Sequence, residues 1–232
     1  MLVLSWNLFH GRSQPPAGRD LASEFEHLLA GWEWDLALLQ EVPPWWVAPL
    51  ARAAHAEQRR VLTSRNSLLA VRRTIARRRP DLIKSNGGGA NAILVRGAIV
   101  EHRPLRLQTR PERRVAQLAR LADGTCIANF HASTRVPLAE AELARLCEQA
   151  LAFAGEDPLI LGGDLNLRSP VASDPRLALL ASRDVDHIFA RGLEQVGAAT
   201  LLDRRVALEH GTVELSDHPP LRLELRAGAE RV

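Results

Sequence analysis

The chain has 232 residues, 46% of them hydrophobic, and its 30 Lys and Arg against 27 Asp and Glu leave a formal charge of only +3. These numbers suit one globular domain over 1–232 and argue against two small ones, since no linker interrupts the sequence. No stretch approaches the roughly 20 apolar residues of a membrane span. The N-terminus lacks the basic and small-residue segments of an export signal, so a cytoplasmic setting is expected; a monomer is expected as well.

Lys84 is the only lysine, so arginine carries nearly all the positive charge behind a pI of about 9.6. Guanidinium groups grip phosphates through paired hydrogen bonds. An Arg- and Ala-rich composition throughout would give the same pI without any site. Cys126 and Cys147 lack metal-binding spacing and read as buried free thiols.

In chain order, Leu2 to Trp6 reads as a strand buried on both faces, and His10 to Arg19 as a Gly/Pro-rich loop. Leu21 to Leu29 has helical spacing. Asp35 to Leu39 is a second buried strand, ending at Gln40-Glu41. Trp45 to Ala54 reads as a helix after the Pro43-Pro44 break. Trp45 and Trp46 either form an exposed patch or pack that helix on a sheet.

Short strands follow at Ser67–Val71, Ala92–Val95, Ile99–Leu107, Arg114–Leu121 and Thr125–Phe130, with a hairpin signal at Asp123-Gly124. Gly87-Gly88-Gly89 lacks the Lys-Ser/Thr of a P-loop and reads as a flexible turn. Leu138 to Phe153 is a helix, with Pro137 near its start and Gly155 after its end. Strands at Leu159–Leu161, Asp184–Phe189, Thr200–Leu202 and Leu221–Leu225 complete the chain, and 226–232 reads as a frayed tail. Strands and helices alternate loosely, with hairpins between. The pattern predicts an α/β or α+β domain with mixed sheets.

The polar candidates fall just after apolar strands, where loops carry function on a rigid scaffold. Glu41 is a candidate ligand for a hard cation, or a solvated strand end. Asn7 offers an amide oxygen, or only a turn. Asp164 and Asn166 alternate after Gly162-Gly163, so both face one side unless they form an Asx turn. His131 and His218 suit anion stabilisation or proton transfer. Asp186 could fix the tautomer of His218. Asn91, Arg114 and Arg135 are candidates for a substrate phosphate. The cluster Arg72, Arg73, Arg77, Arg78 and Arg79 reads first as a solvated face. The other histidines, His10, His27, His55, His102, His187 and His210, show no ligand spacing and read as surface or core. Such oxygen and imidazole groups suit holding a divalent cation beside a phosphate ester and activating water against it.

The ordered set Trp6-Asn7, Leu39-Gln40-Glu41-Val42, Asn129-Phe130-His131, Gly163-Asp164-Leu165-Asn166, Asp186-His187-Ile188-Phe189 and Ser216-Asp217-His218 resembles the endonuclease/exonuclease/phosphatase superfamily. The resemblance runs from Leu2 to about Leu225. It implies a four-layer α/β sandwich, two mixed sheets face to face with helices on the outer faces. It also implies Mg2+ as cofactor, with Mn2+ as a substitute. Glu41 would be the main ligand with Asn7 beside it, and Asp217 a ligand or a carboxylate just behind. Asp164 would orient or deprotonate the attacking water, and Asn166 would hold the phosphate. His218, held by Asp186, would stabilise charge on phosphorus. His131 stands where deoxyribonuclease-like members have histidine and abasic-site endonucleases have tyrosine. This chain has no tyrosine, which counts against the abasic branch. Asp184, preceded by Arg183, occupies a place where many members carry arginine.

The function expected is magnesium-dependent phosphodiester hydrolysis, with DNA as substrate because the arginines suit a polyanion. The alternatives are a phosphatase or phosphodiesterase on a small or lipid-derived phosphate, and a non-catalytic nucleic-acid-binding relative. The last would have lost a key group.

Overall fold

The computed structural model describes residues 1–63, 66–82, 89–209 and 211–228. The order is β1 (Leu2–Asn7), a 3-10 turn at Phe9–Gly11, β2 (Ser13–Gln14), α1 (Ala22–Gly31), β3 (Leu36–Val42), α2 (Val47–Ala53) and β4 (Glu57–Leu62). Then come α3 (Leu69–Arg78), β5 (Ala90–Val95), β6 (Ile99–Gln108), β7 (Arg114–Leu121), β8 (Cys126–His131), α4 (Val136–Ala154) and β9 (Leu159–Asp164). The chain closes with β10 (Ala178–Arg183), β11 (Asp186–Arg191), β12 (Leu193–Leu201), β13 (Arg205–Leu208), β14 (Gly211–Leu215) and β15 (Leu221–Ala227).

Two six-stranded sheets result, ordered β12-β15-β1-β3-β5-β4 and β10-β11-β9-β8-β7-β6, with a small sheet β13-β14-β2 beside them. Only two described pairs run parallel: β1 with β3, and β8 with β9. A parallel pair needs a crossover, and α1 and α4 supply the two.

Strand residues alternate between faces. Val3, Leu36, Leu38 and Ile93 of the first sheet therefore meet Ile127, Ile160 and Ile188 of the second in one buried layer. The opposite face of the first sheet presents Leu4, Trp6 and Leu39 to Phe25, Leu29, Trp46 and Leu50 on the helical side. The opposite face of the second presents Ala128, Phe130 and Leu161 to Leu143, Leu146 and Cys147 of α4. Two layers of sheet between two of helix make the four-layer sandwich. Trp46 packs its ring 5.3 Å from Phe25, so it fastens α2 to the sheet and is no exposed patch. Cys126 and Cys147 are buried free thiols. No helix among the described residues is long and apolar enough to cross a membrane.

Several expectations need correction. Ser67–Val71 is not a strand: Leu69–Arg78 forms α3, and its Ala, Leu and Arg residues outweigh the β-branched Val71, Thr74 and Ile75. Asp184 and Val185 form the turn between β10 and β11, with Asp184 at φ 52, as short hairpins require. Residues 226 and 227 are not frayed, because β15 pairs Arg226 with Glu194 and Ala227 with Leu193 of β12. The rest of that tail beyond 228, Gly87-Gly88 and His210 lie outside the described residues. Strands β4, β10, β13 and β14 went unread. They sit at sheet edges or in the small sheet and are half-exposed. Charge interrupts β4 and β13, and β10, apolar over Ala178–Ala181, is built of Ala and Leu, which do not favour a strand.

Candidate active site

Parallel neighbours end together, and this gathers the site. Asn7, closing β1, stands level with Gln40 of β3, whose next residue is Glu41. His131, closing β8, stands level with Asp164, closing β9, and Asp186 opens β11 opposite Asp164. The turn into β15 brings in His218. Ser216 Oγ donates to the Asn7 carbonyl at 2.6 Å and accepts the His218 N–H at 3.0 Å. Trp6 Nε1 donates to the His218 carbonyl at 3.0 Å. His10, Glu41, Asn166 and Ser216 all hold positive φ, at 56, 52, 50 and 68°. Non-glycine residues take up such angles at a cost, and here they cluster at one place.

Asp164 is the hub. Its Oδ2 accepts from Asn7 Nδ2 at 2.9 Å and lies 3.5 Å from His131 Nε2 and 3.9 Å from His218 Nε2. Its Oδ1 accepts the Asn166 N–H at 3.0 Å. This is the Asx turn, and it sends the Asn166 Nδ2 to the Ala132 carbonyl at 3.0 Å. His218 Nδ1 lies 2.7 Å from Asp186 Oδ2, and His218 Nε2 3.8 Å from Asp217 Oδ1. Glu41 stands on the other side, 3.9 Å from His131 Nδ1 and 3.0 Å from His10 Nε2. Asn7 turns its amide nitrogen to Asp164, while its oxygen accepts the Phe9 N–H at 2.9 Å.

Burial and charge sort these groups. Burial, then the neighbouring Asp186 charge, pushes the Asp164 carboxyl up to about 7, against the pull of His218. Burial alone would discharge His218. Its hydrogen bond to Asp186 and the charges of Asp186, Asp164 and Asp217 outweigh this and raise it to about 9. Burial drives His131 down to about 3, despite Glu41, so it stays neutral. Burial also raises Asp217. The two histidines expected to share one role are thus a cation and a neutral imidazole. Asp164, Asp186 and His218 each place a ligand-type atom within 4.8 Å of the others, a group able to hold a metal. However, Asp186 and His218 already hold one another, so a proton shared among the three is the simpler reading of their spacing.

Not every candidate is drawn in. Arg114 is buried against Glu112 at 2.7 Å and lines a crevice with His10, Glu41 and His131. Asn91 is fully buried and donates across the sandwich to the Val115 carbonyl at 3.0 Å. Arg135 is exposed and stands at the N-terminal cap position of α4 without a side-chain bond to the helix. Two contributors were missed. His10 faces Glu41; its signal was Asn7-x-x-His10-Gly11 directly after a strand. Gly11 has φ 80° and a Cβ there would lie 2.3 Å from Trp46, so the turn that presents His10 is fixed. Behind the site, Gln40 Nε2 donates to Asn129 Oδ1 at 2.9 Å, and Asn129 Nδ2 donates to the Leu39 and Ala92 carbonyls. This buried amide pair ties the two sheets together where their functional ends meet.

Gly163 sets how closely β9 and β8 approach. It has φ 136°, and a Cβ would lie 2.0 Å from the Phe130 carbonyl oxygen. Gly163→Ala is expected to cost at least about 3 kcal/mol and to lower Tm by roughly 6–12 °C. Thermal unfolding followed by circular dichroism checks this; an unchanged Tm would refute the tight approach.

Two facing mixed sheets between helices, with carboxylates and imidazoles gathered at the ends of their central parallel strands, define the deoxyribonuclease I-like class of phosphoester hydrolases. The model of the endonuclease/exonuclease/phosphatase family matches residues 4–218, and the chain belongs to that family. No curated protein sequence matches it significantly. Among solved structures it is similar to the mannosyl-6-phosphatase Bt3783 of Bacteroides thetaiotaomicron VPI-5482, with 15% identity, TM-score 0.69, and 97% of this chain and 99% of that one covered. It is also similar to TDP2 of Caenorhabditis elegans, with 18% identity, TM-score 0.67, and 98% and 74% covered. An endonuclease/exonuclease/phosphatase protein of Bacteroides vulgatus gives 12% identity, TM-score 0.71, and 98% of each chain covered.

Proposed function

We propose that this chain is a magnesium-dependent phosphodiesterase that cuts nucleic acid, with DNA as its substrate. The observation that carries the reading is a carboxyl poised near neutrality beside a charged imidazole: Asp164 and His218, 3.9 Å apart. Asp164 takes the proton of the attacking water. His218, kept charged by Asp186, stabilises the negative charge that grows on the phosphoryl oxygens. Asn166 has one N–H engaged by Ala132 and gives the other to a phosphoryl oxygen. Neutral His131 spaces Asp164 from Glu41.

The donors fit a hard cation. Glu41 and Asp217 are the more open carboxylates of the site, and the Asn7 amide oxygen, which accepts the Phe9 N–H, keeps a second lone pair. Asp186 Oδ1 is buried without a partner among the described residues, an acceptor suited to a water of a hydrated ion. A cation there would be held by Glu41 and Asp217 and would supply Lewis-acid charge for a non-bridging oxygen and the leaving group. The five arginines at 72–79 favour a polyanion.

The test is hydrolysis of supercoiled plasmid, a single-stranded oligonucleotide and bis-p-nitrophenyl phosphate, with Mg2+ or EDTA and with Glu41→Ala as control. Nicking of plasmid that disappears with EDTA and in the variant is the expected result. Turnover of the small ester alone would replace nucleic acid by a small or lipid-derived phosphate, and DNA binding without any turnover would make the chain a non-catalytic relative.

A further inference from the structure

Helix α3 buries none of its residues, which is unusual for a helix inside a packed domain. Residues 66–82, which contain it, hold five arginines and one carboxylate, Asp81. That carboxylate is already engaged: it accepts from Arg12 Nε at 3.2 Å and from the Gly18 N–H at 2.8 Å. Arg73, Arg77 and Arg78 are exposed. Arg73 and Arg77 stand one turn apart, a like-charge pair that disfavours the isolated helix. An anionic partner would remove that cost.

The helix also lies beside the site. Ala76 and Pro80 share a crevice with His10, the residue that contacts Glu41. Arg12, which ties down Asp81, stacks on Phe9 at 4.7 Å, and its carbonyl accepts the Ser216 N–H at 2.8 Å. The basic segment is thus fastened to the same turn that carries Asp217 and His218. We infer that α3 is a docking surface for the phosphate backbone of a nucleic-acid strand flanking the scissile bond, through Arg73, Arg77 and Arg78. Three exposed apolar residues, Leu68, Val71 and Leu82, raise the alternative of a lipid surface. An interfacial helix needs a clean apolar stripe. Here Arg72 follows Leu68 by four residues and Arg78 follows Val71 by seven, so arginine interrupts the stripe. Guanidinium groups around the helix suit a strand whose phosphates pass along it.

The inference rests on the nuclease reading, and its test separates the two. Wild type and the triple variant Arg73→Gln, Arg77→Gln, Arg78→Gln are compared in three measurements. These are binding to a 30-base-pair duplex in EDTA across 50–200 mM salt, bis-p-nitrophenyl phosphate hydrolysis with Mg2+, and sedimentation with phosphatidylserine/phosphatidylcholine vesicles. The expected variant keeps the small-ester kcat/KM, binds duplex about 10- to 100-fold more weakly at low salt, and loses roughly 2 to 3 from the slope of log K against log salt. Equal duplex binding and slope in both proteins, with DNA still cut, would overturn the docking surface and leave the nuclease standing. A wild type that neither binds nor cuts DNA while hydrolysing the small ester would overturn both. Vesicle binding lost in the variant, with duplex binding unchanged, would reassign the helix to a membrane surface.

Discussion

Asp164→Asn is expected to lower kcat on a phosphodiester by about a thousandfold or more while leaving the protein at least as stable as wild type at pH 8 in EDTA. The kinetic half follows from position: Asp164 Oδ2 faces Asn7, His131 and His218, and an amide there cannot accept the proton of water. The stability half follows from burial. A carboxyl raised to about 7 by desolvation and by Asp186 is ionised at pH 8 at a cost to the fold, and the neutral amide removes that cost. The sign is clear from linkage: the folded value lies above the ordinary carboxylate value, so ionisation between them weakens the native state. Steady-state kinetics and urea unfolding at pH 8 provide the check. A variant retaining more than about a tenth of wild-type kcat would remove Asp164 from the reaction.

Loss of His218 should act in the opposite sense on stability. His218→Gln is expected to lower kcat by about a hundred- to ten-thousandfold and also to destabilise. It strips the cation from between Asp186 and Asp164, leaving two buried carboxyls to face one another. Because the folded value of His218, about 9, lies above the ordinary 6.5, its contribution is fully present below about pH 6.5. It fades as pH rises through about 9, and its ceiling is roughly 3 kcal/mol. The gap in unfolding free energy between wild type and variant should therefore be widest near pH 6 and close by pH 10. In kinetics, the wild type should lose kcat/KM above about pH 9, and the variant should lack that limb. A stability gap that does not change with pH would dismiss the charged imidazole.

The two variants together separate roles that one pocket could otherwise blur. Both remove activity, yet one relieves an electrostatic cost and the other exposes it. That pattern is what a site built for chemistry and not for stability should show.

Much of this was legible in the chain. Leu2–Trp6, Leu36–Leu39 and Leu159–Leu161 are apolar at every or nearly every position, and central strands covered on both faces require that. The Pro137 and Gly155 signals bounded α4 to within a residue or two. The polar residues at the ends of those strands named the candidate site, because a buried strand gives up its apolar run only where something else is needed. Two edge strands carried a weaker signal: β4 is broken up by charge, and β10 is a run of Ala and Leu that does not favour a strand. The sequence by itself therefore determined the central strands, the crossover helices and the free thiols, and it supplied most of the candidate residues of the proposed site. The tertiary structure decided what no local pattern encodes. Parallel pairing set Asn7 level with Gln40 and His131 level with Asp164, and the 3-10 turn swung His10 onto Glu41. Burial made His131 neutral, while the hydrogen bond and charge of Asp186 kept His218 charged despite its burial. Register and desolvation depend on residues far apart in the chain, and only the packed fold brings those together.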